Sequence, residues 1–257
     1  MKKRKVPAIF LLCVVVVAAA LGPKLLNAVR EMTFYWTQRS DTEIMVKEYA
    51  EERGASFWDY PTSLIELLER NPQTEDFVLN YPFREKSGFY LTEEEKQQQR
   101  PLFLQWDPRW GYEEYGSDCI GITGCGPTCL AMAGYYVTGD TDFNPLSMAE
   151  FSMKNGYYAP GYGSSWTLIS EGGVKLGLDV TEIPLVKKRI TDNLKVNNPI
   201  ILAMGPGDFT SEGHYILLVG MEDGLFRVHD PNSPANSQRL WSYEELEGQI
   251  RNIWVIR

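Results

Sequence analysis

The chain has 257 residues, of which 44% are hydrophobic, so it can form one sizeable domain with extra segments or two small domains. Its formal net charge of −9 argues against a nucleic-acid partner, because such proteins need basic surface to displace the counterions of the phosphate backbone. The sequence has no Walker-type phosphate loop and no GxGxxG fingerprint, so we expect no nucleotide cofactor.

Residues 1–23 are predicted to be a signal peptide or membrane anchor. Residues 2–5 are basic, residues 6–21 are apolar apart from Pro7, and this order is typical of an export signal. The apolar run is near the short limit for a spanning helix, and its alanines at 18–20 offer a cleavage site, so cleavage and retention both stay open. The basic end should stay in the cytoplasm, and we therefore expect an exported protein, extracellular or anchored facing outward.

Residues 24–100 are predicted to be a mainly helical stalk or cap without a catalytic group. Ser63 and Glu66 have the spacing of a capping box at the start of a leucine-rich helix, and Asn71 followed by Pro72 should end that helix.

Two further stretches of this segment have weaker patterns. Residues 77–79 are apolar and precede a Tyr-Pro pair, which indicates a short strand or a docking segment. Residues 92–100 are polar and charged, which favours a solvated helix or a linker.

Residues 101–257 are predicted to form an α+β domain. A helix should open near Gly126, because Pro127 is tolerated in a first helical turn. Strands are expected at residues 199–204, 214–219, 225–228 and 253–256, with a short helix after Ser242. Asp223 and Gly224 between two of these strands are a strong hairpin signal, so the sheet should be antiparallel and should follow the helix in sequence.

Cys125 is the candidate nucleophile. A thiol at a helix N terminus lies beside unpaired amides and the positive end of the helix dipole, which favour the thiolate and can hold an oxyanion. We expect Gly124 and Gly126 to leave room for the close approach of a substrate backbone. The alternative is an inert, buried cysteine at a turn.

The other cysteines have competing interpretations. Cys129 is the rival nucleophile, but it lies one turn along the same helix among apolar residues and suits a core position. Cys119 is either free or paired with Cys129 in an oxidising compartment, and this stays open. A metal site is disfavoured because the sequence has no CxxC pair and only two histidines.

His214 is the candidate general base, because it opens a buried strand that would hold it rigidly. Side chains alternate along the next strand, so Asp230 should point inward with Phe226 and Val228 while His229 points outward. Neighbouring hairpin strands would then bring Asp230 beside His214, where it can orient the imidazole. The alternatives are a structural histidine at 214 and a turn-forming aspartate at 230.

The strings GCGPTCLAM, LQWDPRW, GPGDFTSEGHYILLVG and HDP together resemble the papain-like cysteine peptidases related to bacteriocin leader-processing enzymes, the C-thirty-nine-like family. The resemblance covers roughly residues 101–257. The upstream string YPTSLIELLERNPQTEDFVLNYP also resembles a segment that precedes this domain in exported proteins of Gram-positive bacteria.

The resemblance implies a papain-like fold and a catalytic set of Cys125, His214 and Asp230, with an acyl-thioenzyme intermediate. It also implies a glutamine in the oxyanion hole, for which Gln105 is the candidate. In the processing peptidases this glutamine comes shortly before the cysteine, whereas Gln105 is 20 residues upstream. An intervening loop over residues 112–122 would explain the gap.

The resulting hypothesis is an extracytoplasmic cysteine hydrolase that acts on a peptide or protein, with no cofactor. The two alternatives are a hydrolase of peptidoglycan amides and an inactive domain that binds peptides at the cell surface.

Overall fold

The computed structural model describes residues 22, 25, 34, 39–85 and 88–257. The predicted signal peptide or membrane anchor at residues 1–23 lies outside the described residues, apart from residue 22. Among the helices of the described part, none is long and apolar enough to cross a membrane.

The chain divides into two compact units, residues 1–57 and residues 58–257. In the first unit, helix α1 (Asp41–Glu52) follows Ser40, whose side chain caps it in a capping box with Glu43. The second unit contains both the predicted peptidase-like domain and residues 58–100. The predicted domain boundary at residue 100 stays a prediction.

The second unit contains groups of α-helices and groups of strands in mixed order along the chain. Its helices are α2 (Thr62–Arg70), α3 (Glu75–Leu79), α4 (Glu93–Gln97), α5 (Ile120–Thr123), α6 (Cys125–Thr138), α7 (Pro145–Lys154), α8 (Gly173–Lys175), α9 (Lys187–Lys195), α10 (Pro234–Gln238) and α11 (Tyr243–Leu246). Its strands are β1 (Glu114–Tyr115), β2 (Asp118–Cys119), β3 (Tyr158–Ala159), β4 (Gly163–Ser164), β5 (Val180–Glu182), β6 (Ile200–Met204), β7 (His214–Glu222), β8 (Leu225–His229), β9 (Leu240–Trp241) and β10 (Ile250–Ile256).

Six strands form one sheet in the order β5-β10-β6-β7-β8-β9, and every neighbouring pair is antiparallel. The predicted strands at 199–204, 214–219, 225–228 and 253–256 are confirmed as β6, β7, β8 and β10, except that residue 199 precedes β6. The predicted hairpin is also confirmed, since Asp223 and Gly224 have φ angles of 50° and 82° and both adopt the left-handed conformation that such a two-residue turn requires.

The sheet has a hydrophobic cluster on each face, because side chains alternate along its strands. On one face, Tyr215 and Leu217 pack in the same cluster as Leu130 and Met132 of α6. On the other face, the cluster contains apolar residues of α9 and of the strand positions that point away from α6: Ile190, Leu194, Ile200, Leu202, Ile216, Leu218, Phe226 and Val228. The predicted architecture, in which the helix that begins at Cys125 packs on an antiparallel sheet, is confirmed.

Helix α2 differs from its predicted start. It begins at Thr62 after Pro61, and within the described residues no side chain caps this end. Ser63 therefore lies inside the first turn, and the predicted capping box with Glu66 is wrong. The predicted end of the helix at Asn71 is confirmed.

Residues 77–79 belong to helix α3, so the predicted strand is wrong there. Three buried apolar residues in a row can face a core from either structure, but a helix satisfies its backbone hydrogen bonds locally and needs no neighbouring strand. Of the solvated helix and the linker that residues 92–100 left open, the structure has the helix, α4, which begins with a capping box between Thr92 and Glu95.

Candidate functional site

The candidate nucleophile begins a helix. Cys125 is the first residue of α6 and is half-buried, and Gly124 separates it from the preceding helix α5. The described residues provide no side chain that caps this end of α6. The amides of the first turn therefore remain available for an anion held near the sulfur.

The two glycines that flank Cys125 are close to protein atoms, not to an open cleft. A Cβ at Gly124 would lie 2.5 Å from the carbonyl oxygen of Ile120, and one at Gly126 would lie 2.6 Å from Oγ of Ser164. The predicted reason for these glycines, room for a substrate backbone, is therefore replaced by a packing reason. They allow α5 and the β3–β4 hairpin to lie against the first turn of α6.

His214 and Asp230 form a buried pair at the end of the sheet. His214 is the first residue of β7, and Asp230 directly follows β8. Nε2 of His214 and Oδ1 of Asp230 are 2.7 Å apart, and the two residues are 8% and 1% exposed. The predicted contact between them is confirmed, whereas their catalytic roles stay predictions.

The environment of His214 favours its protonated form. Burial alone lowers the pKa of this imidazole, but the charge of Asp230 and the hydrogen bond to it outweigh burial. Cys125 contributes a further hydrogen bond and charge, and together these interactions raise the pKa to about 10. Because Nε2 is bound to Asp230, Nδ1 is the ring nitrogen left for Cys125, and an imidazolium can pair there with a thiolate.

The carboxylate of Asp230 is held by two further donors that the sequence did not reveal. The backbone amide of Asn232 donates to Oδ1 at 2.8 Å, and Nδ2 of Asn236 donates to Oδ2 at 2.8 Å. Ser233 followed by Pro234 is a helix-start pattern, and it could have indicated that Asn236 returns towards Asp230. With these contacts, both carboxylate oxygens are fixed in direction.

Gln105 reaches the segment before Cys125 through the fold of the chain. Its Nε2 donates to the carbonyl oxygens of Gly121 and Ile122 at 2.8 and 3.2 Å, and its backbone amide donates to the carbonyl of Pro231 at 2.7 Å. The predicted loop over residues 112–122 is largely the β1–β2 hairpin, which returns the chain to Gln105. Gln105 therefore lies between the segment before Cys125 and the turn after Asp230, and its role in an oxyanion hole stays a prediction.

Cys119 and Cys129 are buried and free. Burial raises the pKa of Cys129 well above its ordinary value, and the charges of Cys125 and Asp230 raise it further. Burial and the neighbouring Asp118 raise the pKa of Cys119 to about 12. Among Cys119, Cys125 and Cys129 the structure contains no disulfide. Cys129 thus occupies the core position predicted for it, where a thiolate is disfavoured.

His229 differs in part from its expected exposure. Its side chain lies opposite Phe226 and Val228 along β8 as predicted, but it is half-buried. Burial lowers its pKa to about 4, although it has a hydrogen bond to the backbone of Pro101. This histidine is therefore neutral at physiological pH.

A helix that begins with a cysteine, set against an antiparallel sheet that carries a buried His–Asp pair, is the architecture of the papain-like cysteine peptidases. The sequence model of the Peptidase_C39 like family matches residues 97–257, and the chain belongs to this family.

Solved structures of peptidase domains are similar to part of the chain. The peptidase domain of Streptococcus ComA, described as a bifunctional ABC transporter involved in a quorum-sensing pathway, is 20% identical, with 52% of this chain and 89% of that chain covered and a TM-score of 0.40. A putative C39-like peptidase from Bacillus anthracis is 16% identical, with 52% and 89% covered and a TM-score of 0.38. None of the curated proteins compared with this chain matches it.

Proposed function

We propose that the chain is a cysteine hydrolase that cleaves an amide bond of a peptide or protein through an acyl-thioenzyme. The observation that carries this proposal is the 2.7 Å contact between His214 and Asp230, with Cys125 as the other hydrogen-bonding partner of the imidazole. These three residues meet the requirement for a nucleophile, a base within reach and a group that orients the base.

In the first half of the reaction, the thiolate of Cys125 attacks the carbonyl carbon of the substrate, and a C–S bond forms. The amides at the start of α6 and Nε2 of Gln105 would hold the oxyanion, which requires one N–H of this amide to turn from the carbonyls of Gly121 and Ile122. The imidazolium of His214 then gives its proton to the leaving nitrogen as the C–N bond breaks.

In the second half, His214 is neutral and takes a proton from water as the water attacks the thioester. The C–S bond breaks, the acid product leaves, and the proton restores the imidazolium that pairs with the thiolate of Cys125. Asp230 holds Nε2 of His214 throughout, so that Nδ1 stays directed at the sulfur and the reacting water.

A site-directed labelling experiment tests this assignment. A substrate-like electrophile that reacts with thiols should label the wild type at Cys125, and Cys125→Ala should lose both the label and the hydrolysis of a peptide library. Cys129→Ala is the matched control, and it should keep both, because the Cys129 thiolate is disfavoured by burial. Labelling of Cys129 in the Cys125→Ala variant would contradict the assignment of Cys125 as the nucleophile.

The same variants can identify the scissile bond. Peptide libraries and purified cell wall are digested side by side by the wild type and by Cys125→Ala. Release of wall fragments without cleavage of peptides would replace the peptidase proposal with a peptidoglycan amide hydrolase. Thiol labelling at Cys125 without hydrolysis of either substrate would favour a binding domain.

The proposal includes a location outside the cytoplasm, and its support is the basic and apolar pattern of residues 2–21. Intact cells that produce the full chain are treated with an added protease that does not cross membranes. Loss of the chain from intact cells agrees with export, whereas protection until the cells are broken contradicts it.

A further inference from the structure

Residues 60–83, which we call the α2–α3 segment, lie before the part of the chain that matches the peptidase family. The segment contains α2, α3 and the short 3₁₀ turns beside them. It contributes none of the proposed catalytic residues. It nevertheless contacts the candidate site in two places.

The first contact is with the turn after Asp230. Nδ2 of Asn71 donates to the carbonyl oxygen of Asn232 at 2.6 Å, and Nε1 of Trp106 donates to the same oxygen at 3.0 Å. The amide of Asn232 in turn donates to Oδ1 of Asp230 at 2.8 Å. A single residue of the turn thus connects Asn71 to the carboxylate that orients His214.

The second contact is with the segment that receives Gln105. The ring of Phe77 stacks on Tyr112 with 4.3 Å between ring centroids, and the Tyr112 hydroxyl donates to the carbonyl of Phe77 at 2.8 Å. A Cβ at Gly121 would lie 2.5 Å from the Phe77 ring, so the ring lies directly against this backbone. The carbonyl of Gly121 is the one that accepts a hydrogen bond from Gln105.

We propose that Asn71 and Phe77 are positioning residues for the hydrolysis reaction. The α2–α3 segment holds the turn that carries Asp230 and the backbone that anchors Gln105, although it lies outside the matched peptidase sequence. This inference rests on the proposed function, since it assigns to the segment a part in setting the geometry of the proposed catalytic residues.

Loss of the Asn71 contact should affect the chemical step more than folding. Trp106 still donates to the carbonyl of Asn232 when Asn71 is changed, so that buried oxygen keeps a partner. The turn keeps its bonds to Trp106 and to the amide of Gln105 but loses the one to Asn71, so its position is less closely fixed, and a shift of about 1 Å in a catalytic group can cost about 100-fold in rate. Asn71 and Phe77 do not touch the proposed catalytic atoms, so KM should change little.

The test is Asn71→Asp in the full chain, with Asn80→Asp as its matched control. The introduced carboxylate keeps an oxygen that can accept from the amide of Gln73, as Oδ1 of Asn71 does at 3.2 Å, but loses the donor to Asn232. Asn80 also donates its side-chain amide to a backbone carbonyl, that of Asp76 at 2.8 Å within the same segment. We expect kcat to fall about 10- to 100-fold in Asn71→Asp with KM unchanged, and Asn80→Asp to match the wild type.

A second measurement is independent of any substrate. The rate at which iodoacetamide alkylates Cys125 is followed against pH, where its alkaline limb reports loss of the proton of His214. Asn71→Asp should move this limb to lower pH than Asn80→Asp, which introduces the same charge in the same segment, because a displaced Asp230 stabilises the imidazolium less. Phe77→Leu should lower kcat through Gln105 but leave the limb in place, a split that a general loss of structure would not produce.

The outcomes separate this inference from the proposed function. If the wild type hydrolyses no peptide, the proposed function fails. The pH of the alkaline limb in Cys125 alkylation, compared between Asn71→Asp and Asn80→Asp, still tests whether Asn71 positions Asp230. If Asn71→Asp matches Asn80→Asp in both kcat and the alkaline limb, the positioning role of Asn71 is overturned. If Asn71→Asp does not fold, Asn71→Ser replaces it and is compared with Asn80→Ser by the same criteria. The serine retains a short oxygen acceptor but cannot reach Asn232.

Discussion

The last residue of β8 is a histidine that must stay neutral in the folded chain. The ring of His229 has a hydrogen bond to Pro101, which has no amide proton and therefore offers its carbonyl. Nδ1 of the same ring is buried, and it has no hydrogen-bond partner within the described residues. Burial lowers the pKa of His229 to about 4, and the charges of Arg100 and Arg227 act in the same direction.

This pKa predicts a loss of stability in acid. In the unfolded chain, His229 should bind a proton as the pH falls through its ordinary pKa of 6.5, whereas the folded chain binds it only near pH 4. The unfolded state therefore holds more protons between these values, and the free energy of unfolding falls as the pH falls through that window. A shift from 6.5 to about 4 corresponds to a loss of about 3 kcal/mol, reached near the lower value.

The assay is urea unfolding of the wild type and of His229→Gln between about pH 7 and pH 4. A glutamine does not titrate, and its Nε2 can still donate to the carbonyl of Pro101. The carboxylates of the protein titrate in both chains and cancel in the difference. We expect the wild type to lose about 3 kcal/mol more than the variant across this range.

Parallel pH dependence of the two chains would refute the reasoning, because it would mean that His229 titrates equally in the folded and unfolded states. His214→Gln provides a control of opposite sign. The pKa of His214 is raised, so its contribution to stability is fully present below its ordinary value of 6.5 and is lost as the pH rises through about 10. Its removal should therefore lower stability mainly below pH 6.5, and it should abolish the fall in stability that the wild type shows between pH 6.5 and about 10.

Three further substitutions test the packing and the site. Gly134→Ala should lower the free energy of unfolding by about 1–3 kcal/mol, because the new Cβ would lie 2.1 Å from the ring of Phe143. Chemical denaturation measures this loss. Adding Phe143→Leu to the same chain should restore part of it. Asp230→Asn should move the alkaline limb of Cys125 alkylation to lower pH, since the charge that raises the pKa of His214 is gone, and an unmoved limb would contradict the assigned pair. Asn236→Leu should destabilise the fold by about 1–3 kcal/mol in urea unfolding, because Oδ2 of the buried Asp230 loses its donor; no loss would mean that water replaces it.

Patterns local in sequence predicted the central part of the fold. The alternation of apolar and polar residues around Phe226 and Val228 predicted both the strand and the inward direction of Asp230, which the structure confirms. The pair Asp223 and Gly224 predicted the hairpin that brings β7 and β8 together. These inferences succeed because a hairpin joins strands that are neighbours in sequence, so the turn brings β7 beside β8. The turn sets the register only as far as Gly220, because an irregularity between Leu218 and Gly220 then shifts it.

The contacts of Gln105 and Asn71 were beyond such patterns. Gln105 binds carbonyls 16 and 17 residues away in sequence, after a hairpin that was expected only as a loop. Asn71 lies in a segment whose helices were assigned no part in the site, and it binds a carbonyl 161 residues away. Neither residue has a neighbour in sequence that reveals its partner.

The amino-acid sequence alone therefore determined the helix at Cys125 and the antiparallel hairpin with His214 and Asp230, because turn chemistry and periodicity act over a few residues. The family resemblance came from the motifs around Gln105, Cys125, His214 and Asp230. Tertiary structure decided that residues 77–79 are helical, that Gly124 and Gly126 serve packing, and which segments surround the Asp230 turn. Such choices depend on which surfaces meet after the chain has folded back on itself, and the free energy of burying them is a property of the assembled core.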